Sequence, residues 1–132
     1  MATKPINRYT VQESNNLKVY ENYTSYQLTT SATDATDAAD LATYTFVEGD
    51  DWLSDGDGPA KSITIVPYTG DNDIILLQLK INGTYGDIIQ FKQDDFPLTI
   101  NKFLVDRIKM ASSDGTGGAG GANEIFTIIA FH

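Results

Sequence analysis

The sequence predicts an all-β fold: an antiparallel β-sandwich of the jelly-roll kind, preceded by an extended N-terminal arm. Short runs of β-branched and aromatic residues alternate with polar residues at period 2, and clusters of Gly, Asp and Asn separate these runs. The chain of 132 residues is long enough for one domain with its own core, and it contains no cysteine. We therefore expect an arm at residues 1–16 and a single sandwich domain at residues 17–132.

Seven or eight strands are predicted in order along the chain. The spacing of the turn residues between these strands is typical of a β-sandwich. Pro67 lacks a backbone donor and places the end of the third strand at a sheet edge or a bulge. Alternation breaks around Asp106 and Arg107, which indicates a bulge or a corner where the chain changes sheets. The predicted strands are residues 23–30, 43–47, 61–68, 74–82, 87–92, 98–110 and 123–132.

The connections predict a meander in the middle of the chain. Residues 70–73 (Gly-Asp-Asn-Asp) and the pair Asn82-Gly83 tolerate the left-handed backbone region, so three consecutive strands are expected to be antiparallel neighbours. Residues 31–42 fit a short helix with Ser31 as its N-cap or, equally, a polar loop. Residues 112–122, rich in Ser and Gly, fit a loop before the last strand.

The charge distribution limits the classes of partner that we expect the protein to bind. The chain has 18 Asp and Glu against 9 scattered Lys and Arg, so neither nucleic acid nor an anionic membrane is an expected partner. Between Lys18 and Lys61 there are nine acids and no base, which favours a solvated segment, with a basic partner surface as the alternative. No apolar stretch approaches the roughly 20 residues of a membrane-spanning helix. We expect a soluble protein made in the cytosol.

Catalytic patterns are scarce in the sequence. The one histidine, His132, is the last residue, and no nucleophile, nucleotide-binding or cofactor motif occurs. We predict that the protein is not an enzyme, has no catalytic residues and needs no cofactor. Asp50 or Asp51 with Asp55 and Asp57 offers oxygen atoms suited to calcium, but the pattern lacks the full binding loop, so a plain turn without metal is the prediction.

Trp52 lies within the acidic run, and Trp52, Asp55 and Asp57 are the candidate contact site for a ligand or partner. An exposed Trp beside carboxylates is typical of a carbohydrate-binding module, in which the indole stacks on a sugar ring. Burial in the core is the favoured interpretation, because most of a tryptophan's surface is usually buried. Tyrosines are common in protein interfaces because they present both a ring and a hydroxyl, and four of them fall within the first 26 residues.

The sequence resembles small β-sandwich structural proteins of tailed-bacteriophage virions, including capsid decoration or cement proteins. The resemblance rests on Pro97-Leu98-Thr99-Ile100, the run from Val105 to Met110, the Ser/Gly-rich loop from Ser112, the last apolar strand and Thr43-Tyr44-Thr45-Phe46. It implies a non-enzymatic protein on the capsid exterior that bridges neighbouring subunits, commonly as a trimer. Its partners would be the major capsid protein or other virion proteins. A neck or tail adaptor, or a fibre component, shares these features and remains the alternative.

The same resemblance suggests which residues contact the partner. Residues 1–16 would be the anchoring arm. The candidate interface residues are Tyr9, Val11, Leu17 and Tyr20.

Overall fold

The computed structural model of the chain describes residues 20–30, 45–69, 74–113 and 123–132. All strand pairs in these ranges are antiparallel, so the predicted all-β sandwich is confirmed. A single 3-10 turn, Gln93–Asp95, accompanies them. The strands of the described ranges are β1 Tyr23–Thr30, β2 Val47–Glu48, β3 Ser62–Thr69, β4 Ile74–Ile81, β5 Thr84–Tyr85, β6 Ile89–Phe91, β7 Leu98–Ile100, β8 Arg107–Ser113 and β9 Glu124–Phe131.

The strands form two sheets. Sheet A has the order β1-β9-β3-β7, and sheet B has the order β2-β8-β4-β5 with β6 also paired to β4. In sheet A, β1 pairs with β9 over its whole length, from Tyr23 opposite Phe131 to Thr30 opposite Glu124. In sheet B, β4 and β8 form the longest pair. No helix in the described part of the chain is long and apolar enough to cross a membrane.

One core lies between the two sheets, and period 2 explains its composition. Alternate residues of each strand point inward, so sheet A contributes Ile63, Ile65, Phe126 and Ile128. Burial of each of these side chains contributes about 1.5–3 kcal/mol relative to exposure. Sheet B supplies Ile75, Leu77, Leu79, Ile108 and Met110 to the same core.

The predicted meander is wrong at its first connection. Residues 70–73 join β3 to β4, but β3 lies in sheet A and β4 in sheet B, so these strands are not neighbours. Alternation shows which side of a strand is buried and not which strand lies beside it. The second connection is confirmed: Asn82 (φ 52°) and Gly83 (φ 81°) form a two-residue turn between β4 and β5.

The two irregularities predicted in the strands are confirmed. The β3–β9 register shifts between Pro67 and Thr69, which is the expected bulge. The chain changes sheets after β7, because β7 belongs to sheet A and β8 to sheet B.

Several sequence predictions need adjustment or fall outside the described residues. β8 extends to Ser113, so residues 112 and 113 belong to a strand and not to the predicted loop. β5 was not predicted, and the strand predicted at residues 43–47 is Val47–Glu48 in the described part. The arm at 1–16, the helix or loop at 31–42 and most of the 112–122 loop lie outside the described residues.

Candidate interaction surfaces

The outer face of sheet A carries no charged side chain among its described residues. Glu124 is the only Asp, Glu, Lys or Arg in β1, β3, β7 and β9, and it is buried. The hydroxyls of Thr64 on β3 and Thr99 on β7 form a hydrogen bond at 3.3 Å. The register then places the outer residues in rows across the strands, namely Tyr23, Ser25, Gln27 and Thr29 on β1, Ile125, Thr127, Ile129 and Phe131 on β9, and Thr64, Val66 and Thr99 on β3 and β7.

An aromatic group marks one end of this face. Tyr20 and Tyr23 both pack against Phe131, and their ring centroids lie 5.3 and 6.2 Å, respectively, from the centroid of the Phe131 ring. Tyr20 is 40% exposed and Tyr23 is 67% exposed. The predicted interface residue Tyr20 therefore lies at the rim of the uncharged face. Tyr9, Val11 and Leu17 lie outside the described residues.

β1 is an edge strand. β9 pairs with it on one side, and no strand in the described ranges pairs with it on the other. The His132 amide donates to the Asn22 carbonyl at 2.9 Å and the Glu21 amide donates to the His132 carbonyl at 2.8 Å, so both backbone groups of His132 point to the β1 side and the pair of Asn22 and His132 begins the hydrogen-bonded positions of the β1–β9 ladder. Such pairs recur at every second residue, so the backbone N–H and C=O groups of Tyr23, Ser25, Gln27 and Thr29 point away from β9.

A shallow groove of about 130 Å³ separates the β1 edge from β2. The hydroxyl of Tyr26 lies beside Gly49 in this region, and a Cβ at position 49 would overlap it. That hydroxyl has no hydrogen-bond partner among the described residues, and burial is the main reason that its pKa is raised above the ordinary value for tyrosine. Glycine at position 49 therefore permits the close approach of β1 and β2.

Trp52 is fully buried, so the prediction that it contacts a ligand or partner is wrong. Its exposed fraction is 0%, and its ring lies 5.6 Å from His132 and 6.4 Å from Tyr26 between centroids. The β2–β3 loop folds around the indole through backbone hydrogen bonds, including one from the Asp57 amide to the Trp52 carbonyl at 3.0 Å. The indole thus has no free face on which a sugar ring could stack, and core burial, the interpretation favoured from the sequence, is confirmed.

The acidic loop of residues 50–58 is exposed around that buried ring. Asp55 is exposed and Asp57 half-buried, and both remain candidates for contact with a partner. Asp51 accepts hydrogen bonds from the Ser54 hydroxyl at 2.9 Å and the Ser54 amide at 3.4 Å, which lowers the pKa of its carboxyl. Within the described ranges no three His, Asp or Glu side chains come together as a metal site.

His132 attaches this loop to sheet A. Its Nδ1 lies 2.8 Å from the Gly58 carbonyl and its Nε2 lies 2.8 Å from the Thr24 hydroxyl. Because a carbonyl only accepts, Nδ1 carries the proton in the neutral ring and Nε2 accepts from Thr24. The ring is 4% exposed. A histidine whose two nitrogens are both engaged in this way holds the fold together rather than serving as a free base.

The outer face of sheet B is different because it carries a charged cluster. Glu48 accepts a hydrogen bond from the Tyr85 hydroxyl at 2.7 Å and lies 3.4 Å from the Arg107 guanidinium. Arg107 also donates through Nε to the Gly49 carbonyl at 2.7 Å. The Lys109 ammonium lies 4.3 Å from the centre of the Tyr85 ring, which suits a cation–π contact.

The pKa values in this cluster follow from these contacts. The hydrogen bond from Tyr85 lowers the pKa of Glu48, and the nearby Arg107 adds to the effect. Burial, followed by the hydrogen bond to Glu48, raises the pKa of Tyr85. At the other end of the same face, Leu76 and Ala111 form a small buried apolar cluster with Phe46, Ile74 and Ile88.

The sequence contained a signal for the charged cluster that our reasoning missed. Lys80 alternates with core residues along β4, and Arg107 and Lys109 do so along β8, so period 2 places each of them on the solvent side of its strand. The pairing of β4 with β8 then brings all three onto one face. A scan against protein-family models finds no match for this chain, and no curated protein is significantly similar to it.

Proposed function

We propose that this chain is a non-enzymatic structural protein of a virion that acts in capsid decoration, binding across neighbouring capsid subunits and stabilising them. The observation that carries this proposal is the uncharged outer face of sheet A in a chain with a net charge of -9. Charged residues are depleted at the centre of protein interfaces, because each charge that loses its water must find a partner.

The face offers the chemistry of a contact surface. Ile125, Ile129 and Phe131 supply apolar area on the central strand β9, while Ser25, Gln27, Thr64 and Thr99 supply hydroxyl and amide groups that both donate and accept. The exposed rings of Tyr20 and Tyr23 at one end are suited to anchor the contact.

In this proposal residues 1–16 act as an arm that adds to the contact, and the acidic loop faces solvent or a basic capsid surface. The partner is the major capsid protein or another virion protein, and the resemblance associates such a role with homotrimers. A location at the neck or tail would use the same face, so the site on the particle decides between these two roles.

A carbohydrate-binding role has less support. It depended on an exposed Trp52, and that side chain is buried. Glycan binding would therefore need a different platform.

The proposal is tested by mixing purified protein with capsids that lack it and sedimenting the mixture. We expect the full chain to sediment with the capsids and a variant lacking residues 1–16 to bind more weakly. Circular dichroism of the deleted variant serves as the control for folding. The proposal fails if the full chain stays in the supernatant, or if deletion leaves binding unchanged. Electron microscopy of decorated particles then separates a head location from a neck or tail location.

A further inference from the structure

We infer that the edge of β1 opposite β9, with which no strand of the described ranges pairs, is a self-association site, at which β1 of one copy pairs antiparallel with β1 of a second copy about a two-fold axis. The contact would join two A sheets into one continuous sheet. This inference goes beyond the proposed function, because it concerns the protein alone and requires no capsid.

The strand β1 has none of the protections against pairing that an edge strand can carry in its own sequence. Natural edge strands are kept apart by charged side chains, prolines, bulges or short length. β1 has eight residues, Tyr-Thr-Ser-Tyr-Gln-Leu-Thr-Thr, with no charge, no Pro and no Gly, and its register with β9 runs without a shift. The edge strand at the other side of sheet A, β7, has three residues and follows Pro97. The sequence of β7 therefore protects its edge of sheet A against pairing, whereas the sequence of β1 does not protect the other edge.

The backbone of β1 is directed correctly for pairing. The free N–H and C=O groups belong to Tyr23, Ser25, Gln27 and Thr29, whose side chains also lie on the outer face, and all four residues are exposed. An extended strand placed along this edge would satisfy these groups by the same ladder that joins β1 to β9.

A second copy of β1 is the occupant that this chemistry fits. Ser, Thr, Gln and Tyr side chains each both donate and accept hydrogen bonds, so a row of them is complementary to itself. In an antiparallel pair centred on Tyr26 or Gln27, outer residues lie opposite outer residues, and hydroxyl and amide groups face one another.

The uncharged strand β1 is compatible with this occupant, although the net charge of the chain opposes association at longer range. Two copies that each carry a net charge of -9 repel over most approaches, and the acidic loop of residues 50–58 adds to that repulsion. β1 itself has no charged side chain, so strand-to-strand pairing places no like charges directly opposite each other, and the nearest acids are Glu48 and Asp50 in the groove beside the edge. The contact also lies at the molecule's edge, so it leaves the centre of sheet A's outer face available.

The test measures the mass of the full chain in solution by sedimentation over a range of concentrations, together with the variant Gln27→Pro. Proline at position 27 removes an N–H that points to the free edge, so it spares the β1–β9 ladder and blocks a new one. Thr99→Pro is the matched control, because by the same alternation its N–H points away from β3 at the opposite edge. We expect a dimer for the wild type and for Thr99→Pro, and a monomer with wild-type circular dichroism for Gln27→Pro.

A second variant covers the case in which Gln27→Pro does not fold. Gln27→Lys keeps the N–H and places two like charges close to the two-fold axis, so we expect a weaker dimer that added salt restores. Hydrogen exchange supplies the direct reading: the amides of Ser25 and Gln27 should be protected in the dimer and lose protection on dilution. A wild-type monomer, a wild-type trimer, or a dimer with unprotected Ser25 and Gln27 amides overturns the inference. Because no capsid is present, these results do not test capsid binding, although a trimer would match the oligomer that the resemblance implies.

Discussion

Sheets A and B share one core and differ on their outer faces. Sheet A presents hydroxyl, amide and β-branched side chains without charge, whereas sheet B carries Glu48, Lys80, Arg107 and Lys109. On sheet B the charges are already engaged within the chain, since Glu48 binds Tyr85 and Arg107 while Lys109 lies over the Tyr85 ring. A face whose charged side chains already interact with one another within the chain is suited to remain exposed to solvent. Covering a face without charge costs less hydration free energy than covering a charged one, and this difference supports sheet A as the contact side in the proposed function.

The largest expected effect comes from removing the side chain that both sheets depend on. Trp52→Ala should lower the free energy of unfolding by about 3–5 kcal/mol, because it leaves a large cavity in the core. Trp52→Phe should be milder, since it keeps a ring and removes an indole N–H that has no acceptor among the described residues. Chemical denaturation measures both, and Leu53→Ala, at a side chain 52% exposed, is the matched control. Equal stability of Trp52→Ala and Leu53→Ala would contradict the burial of the indole.

A smaller effect is expected on the sheet A side alone. His132→Ala removes the hydrogen bonds to the Gly58 carbonyl and the Thr24 hydroxyl, so unfolding should become easier by about 1–3 kcal/mol. Hydrogen exchange should rise in β1 and in the 50–58 loop before it rises in β4 and β8. Thr29→Ala, at an exposed position of β1, is expected to change stability by no more than about 0.5 kcal/mol and serves as the control. An equal rise of hydrogen exchange in sheets A and B would contradict an effect of His132 that is confined to sheet A.

The smallest effect is confined to sheet B. Glu48→Gln removes the carboxylate that holds the Tyr85 proton, so the pKa of Tyr85 should fall while burial still keeps it above the ordinary tyrosine value. Ultraviolet absorbance of tyrosinate follows the titration, and Tyr85→Phe identifies the signal. An unchanged Tyr85 titration in Glu48→Gln would show that the hydrogen bond is absent in solution.

The direction of the pH dependence follows from the same pair. The pKa of Tyr85 is raised by folding, so its contribution to stability is complete below the ordinary tyrosine value of about 10 and is lost as the pH rises toward the folded value. The pKa of Glu48 is lowered by folding, so its contribution is present above the ordinary glutamate value and is lost as the pH falls through the folded value.

Much of the fold was predictable because alternation is local information. The bounds of β1 matched the prediction, and the turn at Asn82 and Gly83 and the bulge after Pro67 followed from backbone chemistry that each residue carries with it. Which strands share a sheet was not predictable in this way. β3 and β4 are consecutive and both apolar, yet only the packing of the two sheets decides that they lie in different layers.

The candidate surface was less predictable than the fold. Trp52 was interpreted from its acidic neighbours, but neighbouring residues in a loop point in different directions, and here the carboxylates face solvent while the indole faces the core. The uncharged face arises from β1, β3, β7 and β9 together. These strands are far apart in sequence, so the register was needed before their outer residues could be read as one surface.

The most direct test of the central claim places one carboxylate on each face and measures capsid binding. Thr127→Glu and Gln78→Glu both alter a half-buried polar residue on a central strand, the first on sheet A and the second on sheet B opposite Lys109. Thr127→Glu should weaken binding by at least about tenfold and Gln78→Glu should leave it within about twofold. Because Gln78→Glu loses the hydrogen bond from the Gln78 amide to the Gly86 carbonyl, circular dichroism of both variants checks that they fold as the wild type does. Equal binding by the two variants, or a loss confined to Gln78→Glu, would contradict the assignment of sheet A as the contact face.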